Sequence, residues 1–245
     1  MPTLFVLMSV YNEAPTIVRA IERFDEHPVP DGVERRIISV DDGSTDGSRD
    51  IIDQLLQSRE DLHVILHERN RGKGAAVRSA IEHAIKQSTD DADVLLIHDA
   101  DLEYSPADHA RVLAPILDGG ADAVIGSRFL GEAHRVLYFW HRVANGAITL
   151  LSNVFTNLNL SDVECCTKAF TCGVAKELEL RENGFGIEPE LVARLSQTRI
   201  DGRPLRIFEV GVSYAGRTYA EGKKIGWRDG VEAIGVILRC ALRRP

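Results

Sequence analysis

No uninterrupted apolar stretch of this 245-residue chain reaches the roughly 18–20 residues that a bilayer-spanning helix needs, so no membrane span is expected. Met1-Pro2-Thr3 has no basic leader and runs straight into a strand-like segment, so no secretory signal is expected either. Cysteine is scarce. Cys165, Cys166, Cys172 and Cys240 show neither Cys-x-x-Cys spacing nor a disulfide framework, which points to reduced thiols in a cytosolic chain. Internal repeats and low-complexity segments are lacking. Basic charge is in deficit, 29 Lys and Arg against 37 Asp and Glu, and the net −8 argues against a nucleic-acid partner. The basic residues that exist gather late. From Arg199 onward ten stand against five acids, so that stretch carries +5 and the remainder −13, which suits an anionic partner at that end.

With 44% hydrophobic and 27% charged residues the composition is that of an ordinary soluble globular domain. Apolar runs bounded by polar punctuation read as buried strands: Thr3 to Val10, Arg36 to Val40, Leu62 to Leu66, Val94 to Ile97 and Ala123 to Gly126. Helical patterns separate them: one from Pro15 through Phe24, one carrying Ile51, Ile52, Leu55 and Leu56, an Ala-rich one ending at Lys86, and one opened by Pro106. Alternation of this kind predicts an α/β fold with a mostly parallel sheet and helices on both faces. The second half differs. Val136 to Leu160 has one broad apolar face, Ile187 to Leu195 reads as a helix, and Leu205 to Val212 as a strand. Val231, Ile234, Ile237, Leu238, Ala241 and Leu242 form a stripe beside Arg239, Arg243 and Arg244 on a last amphipathic helix, suited either to its own domain or to a membrane surface. The expected division is 1–225 for the α/β domain and 226–245 for that helix.

In such sheets ligands bind beyond the carboxyl ends of the strands. Polar clusters sit at four of those ends: Tyr11 to Glu13, Asp41 with Asp42, Asn70 to Lys73, and Asp99 to Glu103. Asp99 and Asp101 stand at alternate positions on an extended end and point the same way. Two carboxylates that close raise each other's pKa unless a cation lies between them, and hard oxygens in a partial set suit Mg²⁺ or Mn²⁺. Glu103 is the candidate for a third oxygen. Lys73, between two glycines, suits close approach to an anion, although the Gly-Lys-Ser/Thr of a P-loop is missing.

Together these motifs resemble the family 2 glycosyltransferases of GT-A fold, and within them the dolichol- and polyprenol-phosphate hexose synthases. The resemblance covers nearly the whole chain. It rests on Val10-Tyr11-Asn12-Glu13, Asp41-Asp42-Gly43-Ser44-Thr45-Asp46, Asn70-Arg71-Gly72-Lys73-Gly74, Asp99-Ala100-Asp101-Leu102 and Gly126-Ser127-Arg128-Phe129. Asp162-Val163-Glu164-Cys165-Cys166-Thr167-Lys168-Ala169-Phe170 and the basic loop from Tyr214 to Ile225 continue it. Glu103 is a departure, because many polyprenol-phosphate enzymes carry Gln there. The resemblance implies a metal-dependent, inverting transfer of a hexose from a GDP- or UDP-sugar to polyprenyl phosphate, by a protein peripheral to the cytoplasmic membrane face. It implies that Tyr11, Glu13, Asp41 and Asp42 hold base and ribose, and that the Asp99-Ala100-Asp101 segment binds metal and diphosphate. Lys73, Arg217, Lys223 and Lys224 would then meet the diphosphate, and Arg128 and Arg142 the acceptor phosphate. Lys168 and Glu190 are weaker candidates.

A phosphate acceptor is already ionised near neutral pH, with a second pKa of about 6, and needs no strong base. A hydroxyl acceptor does need one, and Asp162 or Glu164 would supply it. Among rival classes, a nucleotidyltransferase would open with a Gly-rich, Arg-bearing loop where Tyr11-Asn12-Glu13-Ala14-Pro15 stands. A non-enzymatic calcium loop finds Asp42, Ser44, Asp46, Gly47, Ser48, Asp50 and Asp53 at matching positions, yet a strand and not a helix precedes them.

Overall fold

The computed structural model describes residues 1–131, 135–136, 138–218, 221 and 226–242. Its centre is a seven-stranded sheet. The first four strands are β1 (Thr3–Val10), β2 (Glu34–Asp41), β3 (Leu62–Leu66) and β4 (Val94–Ile97). They are linked by helices α1 (Ile17–Glu26), α2 (Ser48–Leu56) and α3 (Lys73–Gln87). A 3₁₀ turn at Pro106–Asp108 leads into α4 (His109–Leu117), then come β5 (Ala123–Ser127) and the long α5 (Phe139–Thr156). The chain continues through β6 (Lys168–Thr171), α6 (Cys172–Glu177), α7 (Ile187–Gln197) and a two-residue hairpin, β7 (Arg199–Ile200) with β8 (Arg203–Pro204). It closes with β9 (Ile207–Gly211) and α8 (Trp227–Leu242).

The order across the sheet is β3-β2-β1-β4-β6-β5-β9. All neighbours are parallel except β6, which runs antiparallel to both β4 and β5. The sheet is thus mostly parallel, as its apolar runs predict. Leu4 to Met8 of β1 are buried on both faces, which is why that run does not alternate. β6 escapes the sequence reading because it is four residues long and begins with a lysine. Register lines up the ends: Val10 pairs with Asp41 and Leu7 with Ile97, so Tyr11, Asp42 and Asp99 emerge along one edge. The chain order reverses direction between β1 and β4, which opens a crevice at that edge.

The second half builds a wall beside that crevice. α8 packs through Ala233 and Ile237 on Ile148, Leu151 and Phe155 of α5, and through Val236 and Cys240 on Ala193 of α7. Its stripe divides: Ile237 is buried, while Val231, Ile234, Leu238 and Leu242 are exposed. On α5, Phe139, Trp140, Val143, Leu150 and Val154 are exposed as well. Among the described residues no helix is long and apolar enough to cross a membrane.

Candidate active site

A cavity of about 1030 Å³ opens at the crevice. Ser9 to Tyr11 enter it from the end of β1, Asp42 from β2, Lys73 from the start of α3 and Asp99 to Asp101 from β4; α5, α7 and α8 close the other side. Strand ends and helix starts are where a polar side chain can reach a ligand without crossing the core.

Asp42 is buried at the end of β2. Its Oδ1 lies 2.6 Å from Nδ1 of His67 and accepts from the Arg71 amide at 3.0 Å, and its Oδ2 accepts from the Gly72 amide at 2.7 Å. Asp42 therefore fixes the loop that carries Lys73. Asp41 departs from its expected place. It is fully buried away from the cavity, where its Oδ2 accepts from Nε and Nη2 of Arg49 at 3.0 and 2.7 Å. Side chains of adjacent residues at a strand end face opposite ways, so only one of the two aspartates can look into the crevice. Gly72 has φ +95°, and a side chain on it would meet the Asn183 carbonyl; one on Gly74 would meet the Glu182 carbonyl. The two glycines let α3 press against residues 182–184, where Gly74 and Ala75 donate to the carbonyls of Gly184 and Asn183.

Lys73 is the first link of a buried chain of charges. Its Nζ lies 2.8 Å from Asp99 Oδ2 and 3.0 Å from Glu188 Oε1, while Glu188 Oε2 lies 2.5 Å from Nζ of Lys168. Lys168 is fully buried and also donates to the Cys165 carbonyl. Burial opposes the charge on Lys73, yet Asp99 and Glu188 hold its pKa well above that of a free lysine. Glu188 was not singled out in the sequence, where it looks like an ordinary acid in the first turn of a helix. A lysine inside an apolar strand was the available signal, since such a charge needs a buried partner.

Asp101 is pushed up to about 7 by burial, then by Asp99 and Glu103, against the pull of Arg217. The guanidinium of Arg217 spans the acids: 3.2 Å to Glu13, 3.1 Å to Asp101 and 3.3 Å to Glu103. An antiparallel bridge between Tyr104 and Tyr214 carries the 214–217 segment over the β4 end. Leu102 holds φ +65°, a rare conformation for a residue with a branched side chain, and this turns Glu103 back toward that segment. Glu103 accordingly gives its Oε2 to the Tyr214 hydroxyl at 2.8 Å and its Oε1 to the Arg217 amide at 2.8 Å. Both oxygens of Glu103 thus serve the 214–217 segment, and among the described residues no group of three acidic, His or Cys side chains is placed to hold a metal ion. Asp99 and Asp101 still present hard oxygens side by side, and the charge crowding at Asp101 is what a divalent cation would relieve. The pair fits Mg²⁺ or Mn²⁺ completed by phosphate oxygens.

Arg128 lines the cavity, its Nε and Nη2 each 2.7 Å from the Asp162 carboxylate and its guanidinium 5.2 Å from the Tyr214 ring centre. Asp162 is fully buried and both its oxygens accept from Arg128, so its carboxylate is committed to that residue. Arg142 does not line the cavity. It is exposed on α5 with its guanidinium 3.5 Å from the Phe129 ring centre, a ring that Arg128 also approaches at 5.5 Å. Glu190 is buried too, accepting from the amides of Arg181 and Glu182. Lys223 and Lys224 lie outside the described residues. The calcium-loop alternative loses its geometry. Asp46 accepts from the amides of Ala14 and Ser48, Asp42 faces His67, and α2 starts at Ser48, so the expected ligands never face one point.

Residues 5–178 match the family model described as glycosyl transferase family 2. The chain is 30% identical over 203 residues to glycosyltransferase AglJ of Haloferax volcanii, covering 82% of this chain but only 61% of that relative's length. It is 24% identical over 243 residues to a UDP-N-acetylglucosamine–dolichyl-phosphate N-acetylglucosaminyltransferase of Methanococcus voltae, covering 92% and 94% of the two chains. It is 25% identical over 237 residues to an undecaprenyl-phosphate mannosyltransferase of Micrococcus luteus, covering 95% and 92%. Among solved structures, glucosyl-3-phosphoglycerate synthase of Mycobacterium tuberculosis, in complex with Mn²⁺, UDP and glucosyl-3-phosphoglycerate, superposes with a TM-score of 0.70 at 19% identity. That match covers 98% of this chain and 80% of that one, and it bears on the fold alone.

Proposed function

Since the chain belongs to glycosyltransferase family 2 and is a glycosyltransferase, we propose that it moves a hexose from a nucleotide diphosphate-sugar to polyprenyl phosphate, by single displacement with inversion. One observation carries this reading: a single cavity joins phosphate-handling groups to an apolar wall. Lys73, Asp99, Asp101, Arg128 and Arg217 stand on one side, and Trp140, Ala144, Ala147, Ile148, Val231 and Ile234 on the other. The apolar residues at its mouth continue into the exposed faces of α5 and α8, which supports peripheral contact with a membrane at its cytoplasmic face.

In this reading Tyr11, Glu13 and Asp42 enclose the base and ribose. Lys73 and Arg217 hold the diphosphate in place, with Lys223 and Lys224 assigned to the same task by the sequence. Asp99 and Asp101 would hold a Mg²⁺ or Mn²⁺ ion, which would supply charge neutralisation for the diphosphate. Arg128, locked by Asp162, orients the acceptor phosphate with its fork of donors, and Arg142 beside Phe129 meets the same group from outside. The acceptor oxygen attacks the anomeric carbon as the bond to the diphosphate breaks. An ionised phosphate needs no proton removed, which agrees with Asp162 being fully engaged.

A second reading, transfer to a soluble hydroxyl acceptor, is favoured by one observation: Glu164 faces the cavity with a buried oxygen that has no hydrogen-bond partner among the described residues, as a base would. The deciding assay gives the purified protein Mn²⁺ or Mg²⁺ and GDP-mannose, UDP-glucose, UDP-galactose or UDP-GlcNAc, each with and without a short polyprenyl phosphate. Lipid-linked sugar formed only when the lipid is present supports the first reading. Donor turnover indifferent to the lipid would replace it with the second.

A further inference from the structure

Glu164 stands apart from the other acids of the cavity. Asp42, Asp99, Asp101, Glu103 and Glu188 each accept from a cation or a backbone amide. Glu164 Oε1 is buried on the segment between α5 and β6, and among the described residues nothing donates to it. A buried carboxyl oxygen left unmatched is destabilising, and such atoms persist where a ligand completes them. Burial pushes this carboxyl up to about 7, and Glu188 adds to the rise, while Lys168 and Arg128 pull it down.

Its neighbours say what can complete it. Glu188, which acts on Glu164, touches Lys73 on the donor side, and Arg128, which also acts on it, is the anchor given to the acceptor phosphate. A phosphate at Glu164 would set like charges together in a low-dielectric site. Between two phosphate-binding positions the piece of substrate that carries no charge is the sugar, and its hydroxyls bond well to carboxyl oxygens.

We propose that Glu164 hydrogen-bonds a hydroxyl of the transferred hexose and so sets which hexose the enzyme accepts. This rests on the nucleotide-sugar reading above. It gives Glu164 a contact with donor and not the role of a base.

The test compares wild type with Glu164→Gln and Glu164→Ala. Calorimetry measures UDP and GDP alone, then the four nucleotide-sugars, and competition assays give the ratio of kcat/KM between the preferred hexose and the others. Both variants should bind the bare nucleotide within about twofold of wild type, which also certifies the fold. The preferred nucleotide-sugar should bind at least about tenfold more weakly to Glu164→Ala, and the donor ratio should shrink by a similar factor. Glu164→Gln, which keeps one acceptor and adds a donor, should change the ranking of donors. An unchanged ranking with unchanged affinity overturns the proposal. So does parallel loss of bare nucleotide, which marks a structural role, or a fall in kcat with donor binding intact, which marks a base. A wild type that binds no nucleotide-sugar sinks the proposed function and this inference together. One that binds donors but ignores the lipid phosphate removes only the acceptor assignment.

Discussion

Two buried clusters of the molecule handle their polar groups in opposite ways. Under β4 one cluster keeps an uncharged pair: Nε2 of His109 lies 3.1 Å from Nδ1 of His98, and both rings pack on Phe24. The other buries full charges and joins the two halves of the chain, Lys168 against Glu188 and onward to Lys73 and Asp99. Desolvation decides both. A histidine escapes its cost by staying neutral, so His98 is lowered to about 4 by burial. A lysine with an acid 2.5 Å away keeps its charge, and the pair then depends on both members being present.

The largest effect expected from breaking this contrast lies in the charged cluster. Lys168→Met leaves Glu188 buried beside a single cation and should cost about 3–5 kcal/mol of stability. A urea midpoint within error of wild type would show the ladder to be dispensable. Next comes Asp101→Asn, which should lower transfer by about 10²–10³-fold while the melting temperature holds or rises, because a carboxyl pushed up to about 7 is already costly to ionise. Near-normal turnover in that variant would remove the metal pair from the mechanism.

The histidine pair should show itself through pH. The unfolded chain binds a proton on His98 near pH 6.5, the folded chain only near 4. Protons therefore favour the unfolded state between those values, and stability is full above pH 6.5 and declines by about 3 kcal/mol as pH falls toward 4. Denaturation at pH 7.5 and 5 should reveal the slope, and a His98→Gln, His109→Gln double variant should flatten it. The smallest effect concerns the exposed face: Leu150→Gln with Val154→Gln should weaken binding to anionic vesicles several-fold and leave melting unchanged. Vesicle binding that is absent in wild type would end the membrane reading.

The same contrast explains what could be read from the sequence. Strands β1 to β5 announce themselves as apolar runs, and the residues at their ends declare a crevice because little else explains polar clusters placed there four times over. Asp42, Lys73, Asp99 and Asp101 were legible for that reason. Asp41 was not separable from Asp42, since a one-residue step decides which faces the cavity. Glu103 reads as a metal ligand until the 214–217 segment, more than a hundred residues away, is folded over it. Glu188, Lys168 and β6 carry no local signature; their meaning lies in partners that only the tertiary fold supplies.

The place of β6 has a consequence for how the chain is made. It lies between β4 and β5, both of which leave the ribosome before it. A nascent chain that stops short of Lys168 holds the paired strands β3-β2-β1-β4 with a bare edge on β4, and a lone β5 across an empty slot. Unpaired edges are templates for pairing with other chains. Synthesis at 5–20 residues per second makes that interval last for seconds rather than milliseconds. The antiparallel strand that fills the slot also delivers Lys168, so the ladders that join β4 to β5 and the Lys168–Glu188 link of the buried charge chain depend on the same four residues.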